Sequence, residues 1–375
     1  MTQKSLRRIA VKIGSNVLTR KDGTLDITRM SSIVDQVAEL HRRGMEIILI
    51  SSGAVASGRS ELRLSQSLDS VSARQLYSAV GQAKLINRYY ELFRDHGIAC
   101  GQILTTKENF STRRHYLNQK HCMDVMLANN VIPIVNENDT VSVTELMFTD
   151  NDELSGLIAS MMGMQALIIL SNIDGVYDGD PFSPGTRLIT DIHDAADASG
   201  CIAKSKSSAG RGGMATKYRI ACKVASEGIA VIIANGKRDD ILLDLMDKKS
   251  AVPHTLFHAA ATPTSSVKKW IAHSEGFAKG SITVNEGAAE AMLAPTRASL
   301  LPVGVTAIDG DFEKDDIVRV VDADGKVIAW GRTSYKSDDA RKLMGGRGGR
   351  PLIHSDYLYI DCLLYTSPSP RDRTR

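Results

Sequence analysis

The sequence predicts an α/β protein: an αβα sandwich on a mainly parallel sheet, followed by a small β-rich, barrel-like domain. Three observations lead there. Short, mostly apolar runs, Met45–Ile50 and Ala166–Leu170 among them, alternate with segments whose apolar residues recur at helical spacing. Strands buried on both faces read this way when helices cover both sides of a parallel sheet. Beyond residue 278 the segments shorten and show hairpin grammar: Ile317–Val321, the turn Asp324-Gly325, then Val327–Trp330.

In chain order, Arg8–Ile13 reads as a strand that exits through Gly14-Ser15. Met30, Ile33, Val34, Val37 and Leu40 predict a helix stopped by Gly44, and Met45–Ile50 predicts the second strand. A helix over Ala73–His96, a strand over Ile98–Leu104 and a further helix lead to the apolar strand Val131–Val135. A helix opens near Asp150, the strand Ala166–Leu170 follows, then a helix over Lys217–Glu227 and a strand over Ile229–Ala234. The expected divisions are a catalytic domain over 1–250, a linker over 251–277 rich in Pro, Thr, His and Ser, a β domain over 278–360, and a tail over 361–375. That tail, disordered or foreign, is left out of fold reasoning.

Hydrophobic residues make up 43% of the 375, enough for full cores. A net charge of +3 is too small to imply a nucleic-acid or membrane partner by itself. Five scattered cysteines without a CxxC fit reduced thiols, and no run approaches the roughly 18 apolar residues of a membrane span. With no signal-peptide core, the expectation is a cytoplasmic protein.

The chemistry is expected around Val131–Gly156. The strand there ends in Asn136-Glu137-Asn138-Asp139, and a second polar cluster, Asp150-Asn151-Asp152-Glu153, opens the next helix. Asx residues are common in turns and helix caps, which accounts for either cluster alone. Two clusters flanking one strand-to-helix connection favour a site, because ligands of open α/β sheets bind beyond the carboxyl ends of the strands. Lys12, at the end of a buried strand, is costly unless it meets an anion. Lys217 begins a helix just after the flexible stretch Gly210, Gly212, Gly213. Two lysines converging on one phosphoryl group would position it and neutralise its charge. Two motif look-alikes fail. GAVASGRS has Arg59 where a Walker A motif needs lysine, and GRGGMA has no strand before it.

Taken together, VKIGSNVLT, SSGAVASG, VNENDTV, DNDELSG, SNIDGVYDGDP and GRGGMATK resemble the amino-acid kinase family. The resemblance runs from about Arg8 to Met344 and is closest to members that phosphorylate the side-chain carboxylate of L-glutamate at the start of proline biosynthesis. It implies ATP with Mg²⁺ held mainly by the nucleotide. Lys12 and Lys217 would contact ATP and the transferring phosphoryl, with Asp152 orienting both. Ser52, Asp139 and Asn151 would bind glutamate, with Gly53 and Asn136 shaping that pocket. Ser171, Asn172, Arg211, Gly212, Gly213, Met214, Ala215, Thr216 and Lys217 would hold the nucleotide. A carboxylate acceptor needs no general base. Asp139 is read as the receptor of the substrate ammonium, and Ser52 with nearby backbone N–H groups as the receptor of a carboxylate. The resemblance also implies proline as a feedback inhibitor, a homo-oligomer and hand-off to glutamyl 5-phosphate reductase. The β domain resembles a PUA domain, an RNA-binding module elsewhere. Alternatives are a kinase for aspartate or acetylglutamate, or an RNA-binding protein with a scaffold-only kinase fold. Three departures stand out: Asn172 where aspartate is frequent, Arg211 for a small residue, and GGRGGR running directly into PLIHSDYLYI where a longer segment is usual.

Overall fold

The structure is a computed structural model that describes residues 6–62, 68–141, 148, 150–193, 213–247, 249–261, 265–294 and 298–360. It divides into two compact units. One takes the described residues up to Asn109 and those between 117 and 263; the other takes 110–116 and those from 264 onward.

The first unit is built on an eight-stranded sheet. Its strands are β1 (Arg8–Ile13), β2 (Glu46–Ser51), β3 (Ala99–Thr105), β4 (Val131–Glu137), β5 (Ala166–Ser171), a two-residue pair of strands β6 (Val176–Tyr177) and β7 (Leu188–Ile189) that stands apart, then β8 (Asp191–Ile192), β9 (Ala230–Asn235) and β10 (His254–Phe257). The order across the sheet is β3-β4-β2-β1-β5-β9-β10-β8. Neighbours from β3 to β9 pair in parallel, and β10 runs antiparallel to β9. Helices α1 (Ser15–Leu18), α2 (Ile27–Arg42), α3 (Ala54–Glu61), α4 (Ser70–Asp95), α5 (Arg113–Ala128), α6 (Asn151–Met162) and α7 (Met214–Ser226) connect these strands. The central strands β1 and β5 are buried from end to end, apart from Arg8, as their mostly apolar sequences require, and Lys12 is a buried charge within β1.

The segment expected to be a linker is not one. His254–Phe257 is a sheet strand, with Thr255 and Phe257 buried and His254 and Leu256 half-buried. Only two of its four residues are strongly apolar, so its composition hides the period-2 pattern. Downstream, Ser266–Ala272 is a helix of the second unit, with Trp270, Ile271 and Ala272 buried. The first unit therefore extends past residue 250.

The second unit holds a five-stranded sheet. Its strands are β11 (Gly280–Val284), β12 (Val305–Gly310), β13 (Ile317–Val321), β14 (Val327–Arg332) and β15 (Leu358–Tyr359), in the order β12-β11-β13-β14-β15. The expected hairpin is β13–β14, antiparallel, with Gly325 at φ +78° in the turn. The shortened GGRGGR stretch turns through Gly348 and Gly349, both at positive φ. It leads to Leu352, Ile353 and Leu358, all buried, so the abbreviated end still closes the sheet. The tail over 361–375 lies outside the described residues.

One contact fixes the entry to the site. Helices α3 and α4 touch through glycines: a Cβ on Gly81 would lie 1.8 Å from the Ala54 carbonyl, and one on Gly58 would lie 1.8 Å from the Tyr77 carbonyl. Gly53, which starts α3, holds φ +110°, a conformation natural to glycine. A Gly81→Ala substitution must push α3 away and move Ser52 and Gly53 with it. Overpacking of this kind costs about 1–3 kcal/mol. The expected outcome is a thermal midpoint lowered by about 2–4 °C for each of those kcal/mol. An unchanged midpoint in a calorimetric scan would show that α3 yields freely.

Candidate active site

The carboxyl ends of β1, β2, β4 and β5 open onto one cavity of about 1170 Å³. Lys12 lies next to the end of β1, in register with Ile50 and Ile169 on the flanking strands. Its side chain is 6% exposed, and its Nζ stands 2.5 Å from Asp152 Oδ1. The second carboxylate oxygen, Asp152 Oδ2, is 2.9 Å from Lys217 Nζ. Asp152 itself is fully buried. The anion that the buried Lys12 needs is therefore this carboxylate.

Local sequence explains the placement. Asp150 caps α6, accepting from the backbone N–H groups of Asp152 and Glu153 at 2.8 and 3.1 Å. Asp152 then lies in the first turn, where the helix dipole favours a negative charge. Helix α7 packs closely on α6 at Gly156, whose Cβ, if present, would meet Ile220 and Val224 side chains at 2.8 and 3.0 Å. Gly156 is four residues after Asp152 and Ile220 three after Lys217, so both pairs share helix faces. The same packing aims Lys217 at Asp152. Burial pushes the Asp152 carboxyl up, but the adjacent Lys12 and Lys217 ammoniums outweigh it and hold the group below the ordinary carboxylate range. Asp150 shifts the other way, raised by burial and then by the charge of Asp152.

A second polar group lies along the cavity. The Asn151 amide donates to Ser52 Oγ at 2.9 Å, to Asn136 Oδ1 at 3.1 Å and to the Ser51 carbonyl at 3.3 Å. Asn136 in turn donates to Gln82 Oε1 at 2.7 Å. Ser51 Oγ pairs with the buried Tyr89 hydroxyl at 2.8 Å, which ties the end of β2 to α4. Asp139, also on the cavity wall, is engaged by Arg74: Nε and Nη2 reach its Oδ1 at 2.7 and 2.5 Å. Arg74 Nη2 also reaches Glu137 Oε2 at 3.1 Å, and Ser78 Oγ donates weakly to Asp139 Oδ2 at 3.4 Å. Arg74, Ser78 and Gln82 escaped the sequence reading. Their signal was a polar stripe at four-residue spacing on α4, in a helix assigned from its apolar residues alone.

The remaining expected residues fall at the far side. Gly53, Ser171, Asn172, Gly213 and Met214 line the cavity. Ala215 is exposed and Thr216 half-buried on the first turn of α7, and neither faces the cavity. Arg211 and Gly212 lie outside the described residues. Beyond Asn172, Asp174 takes a fork from Arg238, Nε at 2.8 Å and Nη2 at 2.9 Å, which ties the β5 exit loop to the β9 exit loop. Tyr177 and Phe182 at the cavity margin were not expected from sequence.

The model of the amino acid kinase family matches residues 7–235, and that of the PUA domain matches residues 280–351. The chain is 65% identical over 359 residues to a glutamate 5-kinase of Bacteroides thetaiotaomicron, covering 96% of this chain and 100% of that protein. It belongs to the glutamate 5-kinases of the amino acid kinase family. A glutamate 5-kinase of Chlorobaculum tepidum is 46% identical over 356 residues, covering 94% of this chain and 97% of its own. Among solved structures, carbamate kinase from Giardia lamblia bound to AMP-PNP superposes with a TM-score of 0.50 at 15% identity, covering 68% of this chain and 99% of that one. That likeness shows the shared fold. No helix among the described residues is long and apolar enough to cross a membrane.

Breaking the buried triad tests its role in the fold. The lowered Asp152 carboxyl means the folded state holds it ionised while the unfolded chain takes up a proton below roughly pH 4. Its stabilisation is therefore present above that range and lost as pH falls through it. Removing one partner of a buried pair costs about 3–5 kcal/mol. Asp152→Asn should unfold at lower denaturant than the parent at pH 7, with the gap closing as pH falls below about 4. A gap independent of pH would mean the carboxylate charge is not what matters.

Proposed function

We propose that this cavity transfers the γ-phosphoryl group of ATP to the side-chain carboxylate of L-glutamate. The observation that carries the reading is the buried Lys12–Asp152–Lys217 triad, in which two ammoniums share one carboxylate beside the cavity. The carboxylate oxygen attacks the γ-phosphorus, the bond to the β,γ-bridging oxygen breaks, and ADP leaves with the electron pair. The product is the acyl phosphate glutamyl 5-phosphate. A carboxylate is already a nucleophile, so the site has no proton to remove. Lys12 and Lys217 act by neutralising charge on the transferring group, and Asp152 is a positioning residue that holds both.

The acceptor lies toward Ser52, Asn136, Asp139 and Asn151, with Asp139 taking its ammonium and the N–H groups after Ser52 facing its reacting carboxylate. The nucleotide lies toward Ser171, Asn172 and the start of α7. Mg²⁺ on the phosphates is the expected companion of ATP. Asp150 suits it as a carboxylate reaching the ion through water: it lines the cavity, and its Oδ2 is buried without a hydrogen-bond partner. The ion would add charge neutralisation on the phosphate oxygens. Proline, which shares the α-carboxylate and amine of the substrate, fits the same pocket as an inhibitor.

Substrate choice checks the reading. ADP release should be fast with glutamate and about 10²-fold slower with aspartate, whose side chain is one methylene too short to reach the phosphorus. N-acetylglutamate should fail because its amide offers Asp139 no charge. Comparable kcat/KM for aspartate would overturn the assignment.

Three variants probe the roles. Lys12→Ala or Lys217→Ala should lower kcat by about 10²–10³. Asp139→Asn should raise the KM for glutamate far more than that for ATP. Near-normal turnover in a folded lysine variant would remove that lysine from the mechanism.

A further inference from the structure

We infer that Arg74 is a specificity residue: it takes the α-carboxylate of the acceptor, so that Asp139 and Arg74 together form a receptor for an α-amino acid zwitterion. The inference rests on the glutamate reading above. Arg74 lines the same cavity as Asp139, and its side chain is 24% exposed there. It does not sample rotamers freely, because two buried carboxylates grip it. Asp139 Oδ1 accepts from its Nε and Nη2, and Glu137 Oε2 accepts from Nη2. Glu137 is fixed in turn by the Phe148 N–H, 2.9 Å from its Oε1. A guanidinium held in this way has little ordering left to do when an anion arrives.

Position makes the assignment specific. Among the described residues here, Glu137 and Asp139 bring two negative charges and Arg74 one positive, an excess of one negative charge. One substrate ammonium on Asp139 neutralises it. The α-carboxylate, one carbon away from that ammonium, then enters beside two carboxylates. Burying a third carboxylate there without a cation would be costly. Lys12 and Lys217 do not meet that need, because Asp152 ties both to the phosphoryl end. Arg59, the other cation on the cavity wall, is exposed and lies over the Tyr77 ring, whereas Arg74 is held directly beside Asp139. The two carboxylates of glutamate thus separate: the side-chain group faces the lysines and the N–H groups after Ser52, and the α-group faces Arg74. This division departs from the sequence expectation, in which Ser52 and the N–H groups near Gly53 took a carboxylate while anchoring the amino-acid end together with Asp139.

The test compares glutamate with 4-aminobutyrate, which is glutamate without its α-carboxylate, as substrate and competitive inhibitor respectively. Loss of one charge-assisted contact is worth roughly 10–100-fold in affinity. Arg74→Ala should raise the KM for glutamate by about that factor, leave the KM for ATP alone and leave the Ki of 4-aminobutyrate nearly unchanged. Arg74→Lys keeps a cation against Glu137 and Asp139, so it guards against loss of folding. It should show the same selectivity with a smaller effect. If Arg74 merely supports Asp139, both ligands weaken in parallel in both variants, and the inference is overturned. Unchanged glutamate KM in both variants overturns it equally. A parent protein that releases no ADP with glutamate would instead defeat the underlying assignment of the cavity.

Discussion

A single buried carboxylate organises this molecule. Asp152 is inaccessible to solvent, yet it stands in ion-pair contact with Lys12 and Lys217. Taking such charges out of water is expensive, and the expense is offset only when the partners are held in good geometry. Three elements that are distant in sequence must therefore be fixed together: the end of β1, the first turn of α6 and the start of α7. Each has a local reason to be there. The β1 backbone is locked between β2 and β5, Asp150 caps α6, and Gly156 lets α7 approach closely. The result is two cations on one anion, both beside the cavity. A phosphate-bearing ligand brings them a second anion.

The opposite end of the cavity is built with the reverse sign. Glu137 and Asp139 outnumber Arg74, and the surplus is negative. Between the two ends runs a neutral chain of amides and hydroxyls, from Ser52 through Asn151 and Asn136 to Gln82. An elongated ligand that is anionic at one end and carries an ammonium at the other is oriented by this gradient before any single contact is counted. Polar side chains in such a chain engage one another, which holds the pocket wall in one arrangement.

Most of the fold was legible because the strands are extreme in composition. Runs such as Ile47–Ile50 and Ala166–Leu170 have no polar residue, and β1, β4 and β9 lie within a residue or two of where the apolar runs place them. Legibility failed where composition did not carry the pattern. The strand His254–Phe257 contains histidine and threonine and follows a proline, so it read as connecting chain. In the site, Lys12, Asn136 and Asp139 could be picked out because polar residues at or just past the ends of apolar strands demand an explanation, and Asn151, Asp152 and Lys217 because they open helices after a polar cluster or a glycine stretch. Arg74, Ser78 and Gln82 could not, because a polar face on a long helix usually faces water. Only tertiary contact reveals that this stripe turns inward. The same helix continues it as Leu85, Tyr89 and Phe93, all buried, so one face changes from polar to apolar along its length.

This change along α4 separates two tasks that share one cavity. The phosphoryl end is set by β1, α6 and α7. The acceptor end is set by α3, α4 and the exit of β4, with Gly58 and Gly81 clamping α3 to α4 and Tyr89 anchoring the end of β2. The two ends meet at adjacent residues, Asn151 on the acceptor side and Asp152 on the phosphoryl side. Adjacent positions at the start of a helix point about 100° apart, so one helix turn serves both directions. Changes on α4 can therefore alter which acceptor fits while the lysines and Asp152 stay where they are. That is the physical basis for expecting acceptor choice, rather than phosphoryl transfer, to depend on residues such as Arg74.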